Sequence, residues 1–307
     1  MVGGAQEQLP RVIALGGASA TGKSALAQAL AEEIGASILS ADSMLVYKGM
    51  DIGTAKPTVA ERGSVPYAGI DLVTPAEPYS AGLWIDAARA AMAAHPDRTW
   101  IVVGGTGLYF KAFFEGFDRG VANLPLREEL TKVFSDKGLG ELHARLRAIV
   151  PDGVERLGDG AANYRRVIRA LEVLSQGGNP FAIHSAEKPK VVILCRGRED
   201  SRARMERRVD EMLAAGLVDE VRGLMERYPQ WSETAAAAIG YAEVRDFISG
   251  KCTLEAAKAE IIRRTWHLVK RQETWFRHQV DAIGLSANPD SSVESMLKDM
   301  KRLLALD

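Results

Sequence analysis

The chain has 307 residues, 47% of them hydrophobic, enough to bury a large core and more than one compact unit ordinarily needs. Charge is nearly balanced, with 39 Lys+Arg against 40 Asp+Glu, which excludes a global field of the kind that marks a general nucleic-acid binder, so any such surface must be local. Two cysteines, Cys195 and Cys252, without partners at metal-ligand spacing exclude a disulfide scaffold and a zinc site; with a polar start over Met1–Pro10 and no apolar run of membrane-crossing length, the expectation is a soluble, cytoplasmic protein that does not engage a membrane.

In chain order, Arg11–Gly16 (RVIALG) reads as a buried parallel strand feeding a tight loop, and helical periodicity follows over Lys23–Ile34 until Gly35 stops it. A strand at Ser37–Ser40, a helix around Ala81–Ala94 and a strand at Thr99–Val103 come next. Strand and helix in alternation predict an α/β fold with a parallel sheet and right-handed crossovers. From about Val121 the texture changes to charged, amphipathic segments at Leu126–Phe134, Leu139–Ile149 and Ala161–Ser175, which reads as a helical insertion. Lys190–Cys195 (KVVILC) restores a buried-strand signal, so the core is expected to be discontinuous, built from residues 1–120 and 188–307 around an insertion at 121–187. Long helices are predicted at about Arg202–Tyr228, Thr234–Ile248 and Leu254–His278, and the last few dozen residues are only weakly patterned.

The first loop carries the first chemistry. Gly17, Ala18, Ser19, Ala20, Thr21, Gly22, Lys23 and Ser24 match G-x-x-x-x-G-K-[ST] between a predicted strand and a predicted helix, the context this phosphate-binding loop requires. Glycines let backbone amides converge on phosphate oxygens, the helix N-terminus adds partial positive charge, Lys23 adds a full one, and the Ser24 hydroxyl suits Mg²⁺. A di- or triphosphate is expected, but kinases, NTPases and diphosphate-dependent transferases share the loop. Asp42 follows the second strand directly and should face the phosphate loop from the carboxyl edge of the sheet. A carboxylate there can hold Mg²⁺ through water, accept a proton from a nucleophile, or cap the next turn. Thr106, in a Gly-Gly-Thr-Gly turn after the third strand, reaches the same edge and can serve a ligand or its own backbone.

The run from Asp42 to Pro57 (DSMLVYKGMDIGTAKP) resembles the D-S-x-x-x-Y-x-G-M-D-I-G-T-A-K-P signature of the bacterial tRNA dimethylallyltransferases, the IPP transferase family. The resemblance continues through Val103–Ala112, Arg169–Val173, Ile239–Tyr241 and Lys270–Phe276, and spans about Arg11–Arg277. It implies an α/β core like that of the P-loop NTPases, with a helical insertion and long C-terminal helices. It further implies that the loop grips the diphosphate of dimethylallyl diphosphate as a leaving group, with Lys23, the amides and Mg²⁺ at Ser24 stabilising the charge that builds there. By the same resemblance Asp42 orients an adenine N6 amine and takes its proton, Thr106 contacts the reaction centre, and Arg204 of an Arg-x-x-x-Arg pair reaches the diphosphate. A solvated helical face is the competing reading for Arg204.

The implied acceptor is the adenosine beside the anticodon, presented by the anticodon stem-loop of tRNA and flipped out of its stack. Asp42, Ser43, Met44, Leu45, Thr106, Arg127, Arg165, Arg166, Val167, Ile168 and Arg169 match family positions that touch tRNA, and Arg263, Arg264, Lys270, Arg271 and Arg277 on the last long helix add a candidate basic surface. A monomer is expected. Trp275 and Phe276 suit either a base-stacking platform or core packing, and their near-helical spacing with Trp266 favours packing. Some positions depart from the family pattern: Ala18-Ser19 stands where many relatives have Pro-Thr, Asn163–Arg166 replaces a more usual Pro-x-Arg, and Ala242 occupies a position often basic. Two cysteines are too few for the zinc finger of eukaryotic relatives, which points to the bacterial form. The rival readings are a small-molecule kinase of the same fold, a prenyltransferase acting on free AMP or ADP, and a non-catalytic RNA-binding module, the last disfavoured by Lys23, Ser24 and Asp42.

Overall fold

The structure, a computed structural model, describes residues 11–116, 123–181 and 188–306. The chain divides into two units, one formed by Met1–Phe114 with Lys188–Asp307 and the other by Glu115–Glu187. The first break thus falls after Phe114, ahead of the position near 121 where the texture of the sequence changes.

The first unit opens with β1 (Val12–Gly16), α1 (Lys23–Ile34), β2 (Ser37–Ser40), α2 (Val59–Arg62), β3 (Tyr67–Ala68), α3 (Ala81–Ala93), β4 (Trp100–Gly104) and α4 (Gly107–Phe114). The second unit holds α5 (Leu124–Lys137), α6 (Leu139–Ile149), α7 (Gly153–Leu157), a 3-10 turn over Gly158–Ala162 and α8 (Tyr164–Ser175). The first unit resumes with β5 (Lys190–Arg196), α9 (Arg198–Ala214), α10 (Leu217–Arg227), α11 (Glu233–Ala236), α12 (Tyr241–Ile248), α13 (Leu254–Gln279), β6 (Asp281–Ala287) and α14 (Val293–Leu304). None of the described helices is long and apolar enough to cross a membrane.

The sheet has the order β3-β2-β4-β1-β5-β6, and every pairing is parallel. The four predicted strands form its centre. β3 and β6 were not predicted: β3 is two residues long, and β6 (DAIGLSA) is an edge strand that buries only Leu285 and Ala287. Alternation sends Ile13 and Leu15 of β1, with Ile38, Ile101, Val192 and Leu194, against Leu26 and Leu30 of α1 and Met296 and Met300 of α14. Each such side chain, fully buried, contributes about 1.5–3 kcal/mol. Gly16 faces the other way, where a Cβ would lie 2.5 Å from the Phe276 ring. Phe276 meets Phe110 of α4 edge-on at 5.4 Å, and Trp84 stacks on Tyr109 at 4.4 Å. Phe276 is therefore core, with Trp275 packed over Gly107 beside it.

Two of the predicted long helices are broken. The segment expected as one helix over 202–228 divides into α9 and α10 at Gly216, whose φ of +97° is left-handed and ends the helix; Gly240, at φ +93°, likewise separates α11 from α12. In the second unit, α5, α6 and α8 pack around Leu130, Leu142, Leu146, Val167, Ile168 and Leu171, and Phe134 stacks on Tyr164 at 4.1 Å.

Candidate active site

The carboxyl ends of β1, β2 and β4 lie side by side, with the phosphate loop after β1, Asp42 two residues past β2 and Thr106 two past β4. Gly104 lets the last two strands meet: a Cβ there would sit 2.1 Å from the Ala41 carbonyl oxygen. The Thr106 N–H donates to that same carbonyl at 3.1 Å. The Thr106 hydroxyl accepts the Ser43 N–H at 3.0 Å, and Asp42 Oδ1 accepts the Met44 N–H at 2.9 Å. Asp42 thus orders its own turn with one carboxylate oxygen while lining the cleft.

Gly22 (φ +98°) and Ala20 (φ +64°) give the phosphate loop its curl, and a left-handed alanine is a strained conformation typical of ligand-holding loops. Thr21 Oγ1 donates to the Ala18 carbonyl at 2.9 Å, and Lys23 Nζ folds back onto the same oxygen at 3.1 Å. Burial pushes the Lys23 ammonium down to about 8; the Asp42 charge opposes this and Arg208 adds to it. A desolvated ammonium at the first turn of a helix is prepared for an anion.

α9 closes the loop from outside. Arg204 Nε donates to the Ala20 carbonyl at 3.0 Å, and Arg208 Nη2 donates to the Thr54 carbonyl at 3.1 Å. Burial lowers both guanidinium pKa values, with Asp42 working against that for Arg208. The resulting cleft, about 670 Å³, is lined by Ser19, Ala20, Gly22, Lys23 and Ser24 together with Asp42, Arg204, Arg207 and Arg208. Leu45, Ile52, Val103 and Met212 supply an apolar wall to the same space. Glu61 and Glu211 line it as well, and a phosphate loop with three arginines beside apolar side chains fits a small apolar group carrying phosphates.

Two braces of the loop escape sequence reasoning. Gln272 of α13 accepts the Ser19 N–H at 2.8 Å and the Ser19 hydroxyl at 3.2 Å, and donates to the Gly105 carbonyl at 3.0 Å, tying the phosphate loop to the Thr106 turn. Ser19, expected at the diphosphate, is thus engaged on this side by Gln272. Arg196 at the end of β5 donates to the Thr21 and Asn288 carbonyls, both at 2.7 Å, and pairs with Asp200. Both are common polar residue types whose partners are remote in sequence, and only the KRQETWF string hinted at Gln272.

The remaining predicted residues lie in the second unit. Arg127 makes a bidentate pair with the fully buried Glu172 at 3.0 and 2.8 Å, and Arg169 reaches the same carboxylate at 3.5 Å. Arg165 and Arg166 are exposed, Arg165 lying over the Tyr164 ring at 5.2 Å. Val167 and Ile168, expected among the tRNA contacts, are instead buried in this unit's core, because the amphipathic period of α8 turns them inward. On α13, Arg263 pairs with Glu260 and Arg264 with Glu243, leaving Lys270, Arg271 and Arg277 as exposed cations. Among the described residues no group of three or more His, Cys, Asp or Glu could hold a metal ion.

Known proteins resemble this chain over most of its length. The family model described as IPP transferase matches residues 45–279, and a second, described as isopentenyl transferase, matches residues 10–66. The chain is 39% identical over 289 residues to the tRNA dimethylallyltransferase of Roseiflexus castenholzii, covering 91% of this chain and 94% of that protein. It is 42% identical over 284 residues to the tRNA dimethylallyltransferase of Symbiobacterium thermophilum, covering 89% and 88%. The crystal structure of the full-length tRNA isopentenylpyrophosphate transferase from Bacillus halodurans superposes with a TM-score of 0.69 at 33% identity, over 96% of this chain and 95% of that one.

Proposed function

This chain belongs to the IPP transferase family of tRNA-modifying enzymes, and we propose that it moves the dimethylallyl group of dimethylallyl diphosphate onto the exocyclic N6 amine of the adenosine 3′-adjacent to the anticodon. The observation that carries this reading is the sharing of one cleft by the phosphate loop with its lysine, the Asp42 carboxylate and the apolar side chains of Leu45, Ile52, Val103 and Met212.

The reaction forms a bond from N6 to the first prenyl carbon and breaks that carbon's bond to the diphosphate oxygen. The electron pair leaves with diphosphate, where Lys23, Arg204 and the loop amides meet the growing charge. The N6 proton passes to Asp42, which lines the same cleft as the loop. An exocyclic adenine amine is a weak nucleophile because its lone pair is delocalised into the ring, so a carboxylate accepting its hydrogen bond promotes attack. Thr106 holds the Asp42–Ser43 turn in place through the Ser43 amide.

The donor set suits Mg²⁺ in one manner. A hard cation here would be held by the Ser24 hydroxyl, substrate phosphate oxygens and water, Ser24 lining the cleft. Once bound it would neutralise part of the charge on the departing diphosphate.

The lining of the cleft comes from one unit of the chain, and we infer a monomeric, cytoplasmic enzyme from this reading. Arg165 and Arg166 on the second unit and Lys270, Arg271 and Arg277 on α13 are the exposed cations offered to the tRNA backbone. The test is incubation with Mg²⁺, dimethylallyl diphosphate and either unmodified tRNA or AMP, followed by nucleoside mass spectrometry. An isopentenyl-adenosine product from tRNA is expected. Transfer to AMP alone, or ATP turnover without tRNA, would overturn the reading.

A further inference from the structure

The turn at residues 51–55 forms one side of the cleft through Ile52, Thr54 and Ala55. Its amides converge on a carboxylate almost 170 residues away in sequence. Glu220 Oε2 accepts the Ile52 N–H at 2.8 Å and the Asp51 N–H at 3.2 Å, while Oε1 accepts the Tyr241 hydroxyl at 2.5 Å and lies 3.4 Å from the Gly53 N–H. The Gly53 N–H also donates to the Tyr241 hydroxyl at 3.1 Å. Three successive N–H groups around one carboxylate make an anion nest, here filled from within the protein, and hydrogen bonds to a charged acceptor are the stronger kind. Tyr241 is fully buried; burial first, and then the Glu220 charge, raise its pKa and keep the phenol protonated as a donor. Gly53 permits the approach, since a Cβ there would lie 2.5 Å from the Tyr241 ring.

What this clamp holds reaches the chemistry. The next carbonyl along the turn, that of Thr54, accepts from Arg208, and Arg208 lines the cleft within electrostatic reach of Asp42 and Lys23. We propose that Glu220 is a positioning residue of the transferase: it fixes the 51–55 turn so that the Thr54 carbonyl keeps the Arg208 guanidinium in the cleft. Glu220 itself touches no reacting atom. The inference rests on the function proposed above and assigns that site a residue outside the family signature strings.

Glu220→Gln keeps the shape but brings an NH₂ group to a place already crowded with N–H donors, so one side of the nest loses its acceptor. With the protein folded by circular dichroism, this variant should lower kcat/KM for dimethylallyl diphosphate by about tenfold, the effect expected from losing such hydrogen bonds and misplacing a group in the cleft. Its Kd for tRNA should stay within about twofold of wild type, because the exposed cations are untouched. A double-mutant cycle with Arg208→Lys should give a combined loss smaller than the product of the single losses, because Glu220→Gln loosens the same guanidinium that Arg208→Lys removes. Calorimetric titration with inorganic pyrophosphate supplies a readout that does not depend on turnover, and the Gln variant should bind it more weakly than wild type. Unchanged pyrophosphate affinity and kcat/KM in a folded Gln variant, or strictly multiplicative losses in the cycle, would overturn the proposal. A wild-type protein that binds pyrophosphate yet never prenylates tRNA would instead overturn the functional reading, and the pyrophosphate comparison would still decide whether Glu220 shapes the cleft.

Discussion

Asp42 and Lys23 line the same cleft, and the proposed function gives them opposite duties whose separate effects can be measured. If Asp42 is the proton acceptor proposed above, replacing it with Ala leaves the cradle and turnover should fall by about 10²–10⁴-fold, the usual worth of a general base. Pyrophosphate affinity should stay close to wild type; a loss of binding as large as the loss of turnover would mean that Asp42 acts on the diphosphate. Lys23 predicts a pH dependence. Its ammonium, held near 8 by burial in the free protein, must be protonated to attract the anion, and a bound diphosphate raises its pKa. Binding therefore takes up a proton above pH 8, and the Kd for pyrophosphate should rise by up to about tenfold per pH unit from there until the lysine of the complex also titrates. Lys23→Met should abolish that slope as well as weaken binding, and a slope that survived the substitution would assign the proton elsewhere. These residues were legible in the sequence because their signals are local: the loop is one contiguous string, and Asp42 and Thr106 follow directly on apolar runs.

The elements show why legibility stopped where it did. Central strands such as β1 and β4 are solid apolar runs ending in glycines and are readable in isolation. β6 alternates exposed and buried positions only at its end, and β3 is too short for any period, so both depend on a neighbouring strand to become strands. Gly216 lies within a continuous amphipathic pattern, which conceals the break between α9 and α10. The braces between elements were the least accessible part: Gln272 and Ser19 are 253 residues apart, and a glutamine on a long helix ordinarily faces water. The junction it makes is testable. Gln272→Leu should leave the buried Gly105 carbonyl without its partner, costing about 1–3 kcal/mol in stability, and remove the acceptor of the half-buried Ser19 amide at a smaller cost. Because it also uncouples the phosphate loop from the Thr106 turn, kcat should fall more than pyrophosphate affinity does. A kcat matching wild type in the folded fraction would reduce Gln272 to a stability residue.

At the scale of the whole molecule, a chain with near-zero net charge must bind a polyanion through local cations, as its composition required. Arg127 and Arg169 are partly committed to Glu172, and among the exposed cations are Arg165 and Arg166 in one unit and Lys270, Arg271 and Arg277 in the other. If several of them meet phosphates, log Kd for tRNA should rise linearly with log salt, at about 0.7 to 0.9 per contact. Arg165→Ala and Arg271→Ala should each lower that slope by about one contact, whereas Val167→Ala should leave it unchanged and instead lower stability, since its methyls sit in the core of the insertion. A salt slope near zero would remove the assigned surfaces. The central claim, that the phosphate loop activates a leaving group instead of transferring phosphate, is tested most directly with dimethylallyl diphosphate carrying isotopically heavy oxygen at the bridge between carbon and phosphorus. After turnover with tRNA, this account predicts the heavy oxygen in released diphosphate and the five-carbon group on adenine nitrogen. Heavy oxygen left on a prenyl alcohol, or a phosphoryl group on the acceptor, would contradict it.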